Sequence, residues 1–159
     1  GYDHTPWDGA WRGGRFNLSA SLFFPGLARR HGLALRADYE EQKPDNYRYS
    51  SRIRFPRGYG YRYQERIGRL ALDYALPLAY PDQHIWALLY IQRVKSLFFH
   101  DYGWSESNGR RSFYRASGLE LTADTNLLSY PVLFELGVRL AWRWREKDWR
   151  SEAVIGLPL

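Results

Sequence analysis

The chain contains no cysteine and no methionine. The first absence excludes a disulfide framework and thiolate-held metals. The second extends to position 1, where Gly1 stands, and points to a piece of a longer protein whose leader, if it had one, lay upstream. No run approaches the roughly 20 apolar residues that a spanning helix needs, and the mean hydropathy is low, so a helical membrane protein is excluded. A low average does not exclude a spanning barrel, whose polar lumen face pulls it down. His4, His31, His84 and His100 are scattered, with no pair spaced for a metal on one strand, and no cofactor is expected. No G-x-S-x-G elbow occurs, and the spacing of His100 from Ser96 or Ser117 recommends no catalytic pair. The chain reads as a non-enzyme.

What it has in quantity is aromatic side chains, 18% of the chain, with 13 Tyr and 7 Trp. Such amphipathic rings suit a membrane–water boundary. The net charge of +6 fits nucleic acid or anionic lipid, but its distribution says more than its sum. Arg48, Arg52, Arg54, Arg57, Arg62 and Arg66 crowd one loop among tyrosines, while the rest of the chain carries both signs. Arg57-Gly58-Tyr59-Gly60-Tyr61 imitates an RNA-stacking strand. That fold requires two helices, for which the chain has no pattern, so no nucleic-acid partner is expected.

Seven segments alternate large apolar residues with small, polar or charged ones. In the cleanest, Val132 to Trp144, the residues Val132, Phe134, Leu136, Val138, Leu140, Trp142 and Trp144 share one side. Leu133, Glu135, Gly137, Arg139, Ala141 and Arg143 share the other. Successive side chains of a strand turn to opposite faces, so this is a ribbon with one greasy and one charged face. The same pattern marks Phe16–Phe24, Leu33–Glu40, Arg69–Leu78, Gly118–Asp124 and Glu152–Leu159. Ile85–His100 is longer and changes phase, which predicts a bulge near Leu88–Leu89. Most segments have the length of a tilted barrel strand crossing a bilayer.

Short connections (Pro25–Gly32, Ala79–Gln83, Asn126–Tyr130) alternate with longer ones at Glu41–Arg66 and His100–Ser112 and a charged turn at Arg145–Arg150. Antiparallel barrel strands with short periplasmic turns and long outer loops give this rhythm. Aromatics gather at both strand ends: Phe24, Tyr80, Trp86 and Tyr130 near the short turns, Phe98, Phe99, Trp142 and Trp144 near the long loops. Alternation alone does not separate inside from outside. A soluble sandwich or ligand-binding barrel reads the same way.

Phe55-Pro56-Arg57-Gly58-Tyr59 sits in the longest connection, ahead of a strand containing Asp73-Tyr74-Ala75-Leu76-Pro77-Leu78. Here the chain resembles the BamA-like outer-membrane surface-antigen superfamily, whose members assemble or translocate other proteins. That family carries an Arg-Gly-aromatic signature in an outer loop folded into the lumen, followed by a strand with an acidic residue and a Leu-Pro-Leu-like ending. Two expected strands precede the loop and five follow it, and Arg115–Leu121 through Gly156-Leu157-Pro158-Leu159 resemble the closing strands. Pro56 stands where the family usually has an aliphatic residue, and Leu159 where it favours an aromatic one.

The expected fold is therefore all-β: an antiparallel transmembrane β-barrel, C-terminal portion, of about seven meandering strands, with residues 41–66 as a long outer loop. An arginine tucked into a lumen must find carboxylates, because an unpaired buried charge is very costly. Asp73 is the first expected partner of Arg57 and Glu120 the second; Asp124 and Glu135 are further inward candidates, and Arg139 belongs to the same charged face. The inward charges are expected to form a cross-strand ladder. The resemblance implies a place in a Gram-negative-type outer membrane, among lipid and lipopolysaccharide. It also implies client outer-membrane proteins, periplasmic accessory subunits and a seam whose last strand includes Ile155, Gly156, Leu157 and Leu159. A passive porin or membrane anchor, and a soluble ligand-binding barrel, are the alternatives.

Overall fold

Each alternating segment forms a strand, and each strand is antiparallel to its neighbour. The computed structural model describes residues 2–4, 13–44, 50–60, 64–85, 89–127 and 132–157. Seven long strands run as a meander: β2 (Gly13–Pro25), β3 (Gly32–Pro44), β4 (Arg66–Ala79), β6 (Leu89–Ser107), β7 (Arg110–Leu127), β8 (Leu133–Arg143) and β9 (Asp148–Gly156). Two short ones complete the sheet: β1 (Tyr2–His4) beside β2, and β5 (Gln83–Ile85) beside the start of β6. Among the described residues there is no helix, and the sheet is open: its order runs from β1 to β9 without joining its two edges.

Two boundaries differ from the sequence reading. His100–Ser112 is not a long polar loop. The strands continue to a two-residue turn at Asn108-Gly109, whose positive φ values (50° and 71°) are those a tight hairpin needs from both central residues. β6 and β7 thus reach 19 and 18 residues. The phase change in β6 lies at Gln92, not Leu88–Leu89: Ile91 faces Thr125 and Arg93 faces Asp124, leaving Gln92 as the extra residue. Leu88 itself lies outside the described residues. A second irregularity leaves Leu78 extra on β4, between Pro77 opposite Lys95 and Ala79 opposite Val94.

The two faces have opposite chemistry. On one, Leu18, Leu22, Leu70, Leu72, Phe98, Val138, Leu140, Trp149 and Ile155 are exposed, as is Leu157 just beyond β9. On the other, the fully buried side chains include Glu40, Asp101 and Asp124, and Asp73 and Arg69 are nearly so. The buried apolar cluster is small: Phe99, Ala116 and Ala141, with Tyr59 against it. A water-soluble sheet buries its greasy face and wets its charged one. This sheet does the reverse. Phe99 also departs from the aromatic belt expected for it, because it shares the charged face with Asp101 two residues on, while Phe98 is exposed on the other.

Candidate functional site

The connection between β3 and β4 runs over residues 45–65, of which 50–60, 64 and 65 are described; Arg48 and Arg62 lie outside the described residues. Its described part lies on the charged face and is anchored at several points. Glu40, with 1% of its surface exposed, accepts the backbone N–H of Arg52 (2.8 Å) and the Gln42 amide (2.9 Å). Arg15 donates to the Ser50 carbonyl at 2.9 Å. Pro56 is buried against Gly103, where a β-carbon would come within 2.5 Å of its ring. The proline that departs from the resemblance thus has a seat made for it.

Arg57 follows. Its Nε and backbone N–H donate to Asp101 Oδ2 (2.9 and 2.8 Å) and its Nη2 to Asp101 Oδ1 (2.7 Å). The same Nη2 reaches Asp73, whose other oxygen takes Arg36. Arg69 adds a second cation to Asp101 at 3.1 Å, and the Arg57 guanidinium lies 4.0 Å from the centre of the Phe99 ring. Two carboxylates and three guanidinium groups thus form one cluster in which all four carboxylate oxygens are engaged, which is what makes burial of such charges tolerable. Burial opposes the Arg57 charge, but the bonds and charges of Asp101 and Asp73 outweigh it and raise its pKa above the ordinary arginine value.

Gly58 is required twice over. Its φ of +80° is the left-handed region, and a β-carbon there would stand 2.9 Å from that of Ala141. Tyr59 completes the dock: its hydroxyl donates to the Arg115 carbonyl (3.1 Å) and its ring meets Tyr114 edge-on at 5.1 Å. Burial first, and the Glu146 carboxylate second, push the Tyr59 phenol up to about 12.

Of the expected partners, Asp73 meets Arg57, whereas Glu120, Asp124 and Glu135 pair elsewhere. Arg139 lies between Glu120 (2.7 Å) and Glu152 (3.0 Å), one residue on each neighbouring strand. Lys95 joins Asp124 (2.8 Å) to Glu135 (2.9 Å), and Arg93 reaches Asp124 at 2.5 Å. The charged ladder is present, but it does not include the loop. The sequence reading missed Asp101, the main partner, because it ended the strand at His100. Carrying the inward phase of Phe99 two residues further would have placed Asp101 beside Asp73, since Ala71 faces Asp101 and Asp73 faces Phe99. Ile155, Gly156 and Leu157 lie at the β9 edge, which has no partner strand beyond it among the described residues; Leu159 lies outside them.

His100 and Ser117 do meet, through a 2.7 Å hydrogen bond on the apolar face, yet among the described residues no carboxylate bonds to the imidazole to orient it as a base. Among the same residues no group of His, Asp and Glu is arranged to hold a metal ion. No family model, no curated protein and no solved structure matches the chain.

Arg57→Ala should lower the unfolding free energy by about 3 kcal/mol, the low end for breaking a buried pair because Arg69 remains on Asp101. Adding Asp101→Asn should recover part of the loss. A change within about 0.5 kcal/mol in denaturant unfolding would show that the loop is not docked.

Tyr59 gives a pH signature. Its raised pKa means that the docked state favours the neutral phenol, so its contribution is intact below the ordinary 10.0 and is lost as pH rises through about 12. The phenolate absorbance titration of wild type minus Tyr59→Phe should have its midpoint near 12, and a midpoint near 10.0 would place the ring in water.

Proposed function

We propose that this chain is the C-terminal portion of a transmembrane β-barrel of the BamA-like surface-antigen type. In this reading it lies in a Gram-negative-type outer membrane and takes part in inserting or translocating proteins there. The observation that carries the reading is the inverted polarity: an exposed apolar face opposite a face of buried, paired charges. Lipid is the solvent that makes such a sheet stable, because hydrocarbon takes the greasy side chains and the lumen keeps the charged ones. The Arg57-Gly58-Tyr59 loop supports the finer reading. In the resemblance this signature belongs to a loop folded back into the lumen, and here it is held on the charged face by Asp73 and Asp101.

The same loop counts against a wide passive pore, since it lies over the face that would line the channel. Function in this reading is mechanical. The outer edge of β9 offers a row of backbone groups to an incoming strand, and an exposed edge templates pairing. The loop keeps the lumen ordered while that edge exchanges partners.

Val138, at the centre of β8 and exposed on the apolar face, separates lipid from water. Val138→Arg should cost about 2–4 kcal/mol of stability in lipid. On a water-facing sheet the same change stays within about 0.5 kcal/mol, and that outcome would rule out the membrane reading. Client insertion into vesicles that is lost in Arg57→Ala supports the assembly role, whereas a large constant conductance with no client effect supports a passive barrel.

A further inference from the structure

Near the loop end of the apolar face, three strands bring together a set of donors that the proposed function does not use. Arg115 faces Tyr102, and its guanidinium lies 5.9 Å from that ring's centre. Two residues on, Ser117 faces His100 on β6 and Trp142 on β8. Ser117 Oγ is 2.7 Å from His100 Nδ1 and accepts the Trp144 indole N–H at 3.0 Å. When the serine donates to Nδ1, the imidazole proton stands on Nε2, so His100 offers a donor rather than a base. Beside this group Trp142, Trp144 and Trp149 line an open depression of about 430 Å³, with the rings of Trp142 and Trp149 5.4 Å apart.

The charge here is uncompensated. Arg111, on the same face, is paired with Glu106 at 3.1 Å, but Arg115 has no carboxylate partner among the described residues. Its level is also informative. Arg115 stands twelve residues above the end of β7 at Leu127. At about 3.3 Å per residue and about 45° of tilt, that is about 28 Å, close to the thickness of the hydrocarbon layer. A lone guanidinium at that height, among tryptophans, lies where lipid headgroups begin.

We infer that Arg115, His100 and the Trp142–Trp144–Trp149 depression form a binding site for one anionic lipid with a phosphorylated headgroup, the phosphate held by Arg115 and His100 and an acyl chain by the indoles. The inference rests on the membrane reading above and adds to it a specific lipid. A guanidinium fork matches phosphate oxygens, and whereas the fork of Arg111 on this face is taken by Glu106, that of Arg115 faces no carboxylate among the described residues. Ser117 serves as the positioning residue of the imidazole.

The test is lipid retention by native mass spectrometry, with the full-length protein titrated with phosphatidylglycerol or phosphatidylcholine. Phosphatidylglycerol should be retained preferentially, and Arg115→Ala should weaken it by about tenfold, a loss of about 1.4 kcal/mol. Trp149→Ala, at an exposed position, should also weaken it, whereas Arg111→Ala should not. Inorganic phosphate at millimolar concentration should leave the lipid in place; displacement would reveal a free-anion site and overturn the assignment. Equal retention of phosphatidylglycerol by wild type and Arg115→Ala would overturn the site alone. Failure of the protein to float with vesicles of either lipid would overturn the site and the membrane reading together.

Discussion

A carboxylate with no exposed surface sets the terms for this molecule. Asp101 lies in the middle of a sheet face, and its charge is tolerable only because Arg57 and Arg69 close around it. Arg57 belongs to a loop 44 residues earlier, so this one group ties the longest connection to the centre of the sheet. The tie dictates the rest of the loop. Pro56 must fit against Gly103, Gly58 must turn left-handed over Ala141, and Tyr59 must reach the Arg115 carbonyl. Asp73, bonded to both Arg57 and Arg36, joins the same cluster to β3.

From there the logic spreads along the face. Charges recur down the strands, each answered by its cross-strand neighbour: Arg139 by Glu120 and Glu152, Lys95 by Asp124 and Glu135. A face so constructed gains little from a hydrophobic core, and among the described residues the buried apolar cluster is no larger than Phe99, Ala116 and Ala141. The greasy residues point the other way, and many of them are left exposed among the described residues. In the reading proposed here, hydrocarbon supplies what the fold leaves out, and function begins with the membrane.

The strands were legible because period-two alternation is a local signal. Val132–Trp144 shows it on every residue but Leu133, and β8 follows it. The meander order was legible too, since every connection except the one over residues 45–65 is too short to cross another strand. What escaped was non-local or depended on turn chemistry. Asn108-Gly109 is a strong hairpin signal, but His100 and Glu106 interrupt the greasy face before it, and the strand looked finished at His100. That error hid Asp101. Asp73 was found because it lies on a strand whose phase is clear, and the bulge was displaced to Gln92 because a shift in alternation marks a region rather than a residue. The meeting of His100, Ser117 and Trp144 joins two strands to the turn after a third, and only register reveals it.

The direction in which the two faces point can be measured residue by residue, and the absence of native cysteine makes it simple. Single cysteines placed from Leu136 to Ala141 and spin-labelled in lipid vesicles report collision with oxygen, which concentrates in hydrocarbon, and with a polar nickel chelate, which does not. The account predicts strict alternation, with oxygen favoured at Leu136, Val138 and Leu140 and the chelate or neither reagent at Gly137, Arg139 and Ala141. Chelate access at Val138 and Leu140 equal to that of a label in water would contradict it.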